Sequence, residues 1–173
     1  RQLLRHTSGL PDHTHHDPFM TTLAADPGHR WTALDHIRNG LAIAPVGEPG
    51  ERFSYSDTGY VVLGSVIEHV TGRTLAAAVR EAARIDELGL TSMRWELVEP
   101  EPAVHPRAHQ LFEGTDTYDW HPSLDLYGGG GLVASPLDVA RWWRALFTGE
   151  VHRFLHRSTW RGGGERCSRA RCT

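Results

Sequence analysis

Three groups of residues have types and spacings suited to chemistry. Tyr55-Ser56-Asp57 places a phenol two positions from a carboxylate. A phenol of pKa ~10 is a poor base in water, and adjacent positive charge must lower that value before it becomes useful. Gly128 to Gly131 are four consecutive glycines, which let backbone approach a ligand groove closely. No G-x-G-x-x-G context or P-loop lysine accompanies them, so they are not a phosphate cradle. The third group is Asp12, His13, His15, His16 and Asp17, whose imidazoles and carboxylates suit a divalent ion. A solvated loop is the favoured reading of that cluster, and neither a metal nor any other cofactor is expected.

Weaker candidates complete the inventory. Ser8 has His6 and Asp12 nearby, the residue types of a catalytic triad, but nearness in sequence does not assemble one. Thr7-Ser8-Gly9 reads better as a turn and helix end. His105 with His109, and His152 with His156, have H-x-x-x-H spacing. Pro106 breaks any helix across the first pair, and neither pair has the Glu of H-E-x-x-H.

Composition removes whole classes of chemistry. All 18 basic residues are arginine, so the chain has no lysine for a Schiff base, a P-loop or the activation of a serine. Arginine stays protonated and is no substitute base. Residues 1–150 carry 12 Arg against 20 acidic residues, while residues 151–173 carry six Arg against Glu165 alone. The basic stretch could be an arm for nucleic acid, but a shifted reading frame explains it better, so nucleic acid is not an expected partner. No window approaches eighteen uninterrupted apolar residues, so no membrane-spanning segment is expected. Both cysteines, Cys167 and Cys172, lie in the basic stretch, which leaves the rest without a disulfide framework.

The elements that must position these groups are mostly helical. Residues 1–5 read as a last helical turn, stopped by Thr7-Ser8-Gly9 and Pro11. Thr32 with Asp35 forms a capping box for a helix through Leu34, Ile37 and Leu41. Asp57 or Thr58 caps the strongest helix. Its apolar stripe is Val62, Leu63, Val66, Ile67 and Val70, and Gly72 ends it. Thr74 opens another helix that ends near Gly89. Trp95–Val98 and Ala108–Phe112 are candidate strands. Ser135, Pro136 and Asp138 together start a helix that buries Val139, Trp142, Trp143, Leu146 and Phe147 and ends at Gly149. Residues 151–173 show no apolar periodicity and are expected to be disordered or the product of a shifted reading frame.

Taken in order, Leu3-Leu4-Arg5-His6-Thr7-Ser8-Gly9-Leu10-Pro11, Phe53-Ser54-Tyr55-Ser56-Asp57-Thr58-Gly59-Tyr60 and Gly128–Gly131-Leu132-Val133-Ala134-Ser135 resemble one family. It is the serine hydrolases of the class C beta-lactamase and D-alanyl-D-alanine carboxypeptidase type, which are penicillin-binding-protein-like. The resemblance covers residues 1–150 and implies an α/β (α+β) class, here part of a beta-lactamase/transpeptidase-like fold, mainly its helical region. It implies acyl-serine hydrolysis of a small-molecule or peptide substrate, be it peptide, ester or beta-lactam. Tyr55 inherits the catalytic proton shuttle, and Asp57, Gly129 and Gly130 line the substrate groove. Two departures follow. Asp57 stands where the family has an Asn, and a carboxylate accepts but cannot donate a hydrogen bond. The S-x-x-K serine and lysine are absent. The chain is therefore expected to be an inactive fragment of such an enzyme, with a non-catalytic peptidoglycan- or peptide-binding pseudoenzyme as the alternative.

Overall fold

A computed structural model describes residues 1–101 and 107–151. His105, the His152/His156 pair, both cysteines and residues 152–173 lie outside the described residues, and so do the expectations placed on them. Among the described residues five α-helices dominate: α1 (Asp17–Ala25), α2 (Ala33–Leu41), α3 (Asp57–Thr71), α4 (Leu75–Ala82) and α5 (Pro136–Thr148). Two minimal antiparallel ladders accompany them. β1 (Arg94–Trp95) pairs with β4 (Leu132–Val133), and β2 (Leu111–Phe112) pairs with β3 (Thr115–Asp116). Glu113 and Gly114 both take positive φ, as a two-residue hairpin turn requires.

Helix ends follow the local chemistry. Thr32 and Asp35 form the expected capping box on α2. The cap of α3 is Ser56, whose hydroxyl accepts from Gly59 N–H at 3.2 Å, rather than Asp57 or Thr58, which are the first helical residues. Gly72 closes α3 in the left-handed conformation. The helix opened by Thr74 stops at Ala82 and gives way to turns, short of Gly89. At α5, Ser135 accepts from Asp138 N–H, but Asp138 does not reach back to its own first turn. It is 3% exposed, and its Oδ2 accepts from Ser92 N–H at 2.9 Å and Ser92 Oγ at 2.7 Å. The start of α5 is thus tied to the segment that leads into β1.

Among the described residues the core consists of three small apolar clusters. Phe19, Leu23 and Trp31 pack with Trp120 and Leu124; Leu75, Ala76, Trp95 and Leu126 pack with Tyr127; Ile85, Leu90 and Met93 pack with Trp142. Asp12–Asp17 is not a solvated loop. It makes a short 3-10 turn over His13–His15, with Asp12 and His13 buried, and its last residue begins α1.

Two apolar stripes face differently from their expected burial. In α3, the buried face is Thr58, Gly59, Val61 and Gly64, while Val66, Ile67 and Val70 are exposed. Small residues win that face because neighbouring backbone comes too close for large ones. A Cβ on Gly64 would stand 2.3 Å from Tyr127 O, and one on Gly40 of α2 would stand 2.6 Å from the Thr58 side chain. In α5, Ala145 is the fully buried residue and Trp142 is half-buried, whereas Val139, Trp143 and Phe147 are exposed, with Trp143 stacked on Phe147.

Gly64 sets two effects against each other. Alanine is the better helix former by about 1 kcal/mol. Against that, its methyl group would force the Tyr127 backbone away, at a typical overpacking penalty of about 1–3 kcal/mol. The contact at 2.3 Å puts the penalty at or above the top of that range. Gly64→Ala is therefore expected to lower stability in urea unfolding; an unchanged or raised midpoint would refute the close approach.

Candidate active site

The site is built where residues 6–13 grip the start of α3. Ser56 N–H donates to His6 Nδ1 at 3.1 Å, and Ser56 Oγ donates to Pro11 O at 3.0 Å. Asp12 Oδ2 accepts from Asp57 N–H at 3.3 Å, while its Oδ1 accepts from Thr14 N–H at 3.0 Å. One carboxylate thus satisfies free amides at two helical starts, where the local dipole favours negative charge. Below it, Thr58 is fully buried and its Oγ1 accepts from His13 N–H at 2.9 Å. The His6 ring lies between Tyr55 and Tyr60, at centroid distances of 4.5 and 4.9 Å.

Tyr55 and Asp57 meet directly. The Tyr55 hydroxyl donates to Asp57 Oδ1 at 2.6 Å. That hydrogen bond, with the charges of Asp57, Asp12 and Asp125, pushes the phenol up to about 12. The shift is opposite in sign to what a proton-accepting tyrosine needs. His6 Nδ1 is engaged by Ser56 N–H.

Asp57 also lies on the wall of a cavity of about 960 Å³. The glycine loop runs past it. A Cβ on Gly129 would stand 3.0 Å from Asp125 Oδ1 and 3.4 Å from Asp57 Cγ; one on Gly130 would stand 2.0 Å from Asp125 Oδ2. The two glycines therefore leave room for the Asp125 carboxylate beside Asp57. Gly130 lines the cavity directly, and Gly129 is exposed at its margin. Asp125 was missed in the sequence. Its only signal is its place three residues before the glycine run, at the end of a 3-10 turn over Pro122–Asp125. Enclosure by protein, together with the charges of Asp57 and Glu96, pushes its carboxyl up to about 6, although it opens to the cavity.

Other candidates separate. Ser8 accepts from Leu10 N–H as a turn residue, His6 is committed to Ser56, and Asp12 to Thr14 and Asp57. No triad forms. The His cluster is likewise split: His13 binds Thr58, and His16 Nδ1 lies 2.7 Å from Asn39 Oδ1. Among the described residues no group of three His, Cys, Asp or Glu converges to hold a metal ion. No helix among them is long and apolar enough to cross a membrane.

His13 and His36 form a buried neutral layer beneath the site, with ring centroids 4.5 Å apart. Burial pushes His13 down to about 4, assisted by the charge of His36, and lowers His36 as well.

These shifts set the pH dependence of stability. Unfolded His13 takes up a proton below about pH 6.5 that the folded residue refuses until about 4. Stability is thereby lost as pH falls through that window, by about 3 kcal/mol in total. Asp125 acts with opposite sign, because its unfolded carboxyl ionises from 3.8 while the folded one waits until about 6. Its contribution is lost as pH rises between those values. Asp125→Asn is therefore expected to be more stable than the parent at pH ~8 and to lose that advantage by pH ~4, with a steeper acid decline in between. Parallel thermal-unfolding curves across that range check this; a variant less stable than the parent at pH ~8 would contradict it.

Comparison with known proteins supplies the wider frame. Residues 1–165 match the family model described as Beta-lactamase. The chain is similar in structure to a D-stereospecific amidohydrolase from Streptomyces sp., with TM-score 0.71 and 27% identity over 88% of this chain and 47% of that one. It is similar to a D-amino acid amidase from Ochrobactrum anthropi SV3 complexed with L-phenylalanine, with TM-score 0.68 and 26% identity over 87% of this chain and 42% of that one. A curated relative, an unguisins hydrolase of Aspergillus violaceofuscus, is 25% identical over 157 residues, which are 86% of this chain and 27% of the relative. The chain thus spans less than half the length of each.

Proposed function

The chain belongs to the beta-lactamase family, and on that premise we propose that its Tyr55–Asp57 corner is one side of a serine-hydrolase active site. The reaction is acyl transfer. A serine hydroxyl attacks the carbonyl of an amide, peptide, ester or beta-lactam, the C–N or C–O bond breaks, and water then hydrolyses the acyl-serine. Tyr55 is the group that passes the proton between serine and leaving group. What supports this reading is that Asp57 and Gly130 line one cavity and that Tyr55, outside its lining, is joined to it by a hydrogen bond to Asp57, on the helix start held by His6 and Asp12. Amide substrates are favoured over beta-lactams. The solved relatives named as an amidohydrolase and an amidase support that preference, and so does Asp57, which cannot donate to a substrate carbonyl.

The 173 residues hold no S-x-x-K pair and no lysine, and the Tyr55 proton is directed at Asp57. As it stands, this chain does not acylate. A second reading, a peptide-binding pseudoenzyme, is favoured by the retention of a cavity of about 960 Å³ beside a phenol that keeps its proton.

Incubation with p-nitrophenyl acetate or nitrocefin is expected to give no stoichiometric burst and no acyl adduct by mass spectrometry. A burst abolished by Tyr55→Phe would overturn the inactivity. A D-alanyl-D-alanine peptide that raises the melting temperature without turnover would favour the second reading.

A further inference from the structure

His6 meets the segment before α3 at two points. Its carbonyl accepts from Ser54 N–H at 2.8 Å, and its ring Nδ1 accepts from Ser56 N–H at 3.1 Å. The backbone at His6 is left-handed, with φ 53°. The ring lies between Tyr55 and Tyr60, and Phe53 meets it edge-on at 5.7 Å. Both phenols are anchored in turn, Tyr55 to Asp57 and Tyr60 to Leu4 O at 3.2 Å. Of the charged groups on the adjoining segments, Arg5, Glu51 and Arg52 are exposed, and Asp12 is committed to Thr14 and Asp57 N–H. Asp57 holds the Tyr55 hydroxyl. No carboxylate among the described residues pairs with the ring.

The Ser56 contact has a fixed polarity. A backbone N–H can only donate, so Nδ1 presents its lone pair and the proton of the neutral ring sits on Nε2. A second proton can go only to Nδ1. An imidazolium donates from both nitrogens and accepts at neither, and half a turn of the ring puts a carbon in place of Nδ1. No orientation of the charged ring offers Ser56 N–H an acceptor. Ser56 is 2% exposed, so water cannot take over unless the turn opens. The two tyrosine faces hold a cation at least as well as a neutral ring. The charged ring therefore stays, and the amide is what leaves.

We propose that His6 is a protonation-sensitive positioning residue: its neutral ring fixes the first turn of α3, and its protonation releases Ser56 N–H and, with it, the Tyr55–Asp57 pair. Imidazole is the side-chain group that ordinarily changes charge between about pH 5 and 8, and acid is the releasing direction. The consequence for acyl transfer rests on the reading of this corner as one side of an active site. The release itself does not.

NMR of the nitrogen-labelled 173-residue chain between pH ~8 and ~5 tests it without any substrate. At the alkaline end the His6 ring nitrogens are expected to report the Nε2–H tautomer. As pH falls, the Ser56 amide signal is expected to move with the same midpoint as the His6 ring. Its protection from hydrogen exchange, corrected for the intrinsic effect of pH, falls at least ~10-fold, as the loss of one buried hydrogen bond predicts. The Tyr55 ring signals follow, while the Asp35 amide in the capping box of α2 does not. His13 charges only near 4, below this range. His6→Asn places a carbonyl oxygen where Nδ1 stood, tolerates left-handed backbone and takes up no proton. That variant is expected to keep the Ser56 amide in its alkaline position throughout; should it not fold, the coincidence of midpoints in the parent decides. A His6 ring that charges while the Ser56 amide stays put overturns the proposal. So does a ring still neutral at pH ~5, or a step that survives in His6→Asn. Burst acylation bears only on the hydrolase reading, so the two can fail separately.

Discussion

The grip of residues 6–13 on the first turn of α3 is the constraint on which the rest depends. Four polar groups at that turn, Ser56 N–H, Ser56 Oγ, Asp57 N–H and the Thr58 hydroxyl, are satisfied by His6, Pro11, Asp12 and His13. Most of these groups are buried, and a buried polar group stripped of its partner costs about 1–3 kcal/mol. Loosening any one contact therefore does more than remove a hydrogen bond; it frees the turn that presents Tyr55 and Asp57. Behind this turn, the small face of α3 lets α2 and the Tyr127–Gly128 backbone close in. That approach brings the glycine loop and Asp125 to the same place.

Position and chemistry then diverge. On the proposed reading Tyr55 is the proton shuttle, but Asp57 gives it an acceptor at 2.6 Å. With asparagine at that position, the phenol would face a neutral amide. With aspartate it faces an anion, and its proton is held instead of shared. The same carboxylate stands beside that of Asp125, both flanking the point where a Gly129 Cβ would lie.

The sequence was most legible where structure is local. The Thr32–Asp35 capping box, Gly72 and Gly149 as helix ends, and Ser135 before α5 depend on residues a few positions apart, and each is found in place. Order and spacing of the Arg5–Leu10, Tyr55–Asp57 and glycine blocks carried the family, because those blocks meet in three dimensions at this site. What stayed hidden was long-range. Periodicity marked the Val66–Val70 stripe as a buried face, but backbone approach at Gly40, Gly64 and Tyr127 decides which side of α3 is covered. His13 looked like a solvated loop residue until its contact with Thr58, 45 positions away, put it in the core. Asp125 had no motif at all; only the close passage of Gly130 reveals why its carboxylate fits.

The central claim is that Asp57 holds the Tyr55 proton. Ring Cζ NMR of labelled tyrosine measures this directly, with Tyr55→Phe identifying the Tyr55 signal among the four tyrosines. At pH ~10.5, Tyr55 is predicted to remain protonated, while Asp57→Asn brings its ionisation back towards ~10 and leaves more than half of it as tyrosinate. A Tyr55 already ionised at that pH in the parent chain, or one whose titration Asp57→Asn does not move, would contradict the account.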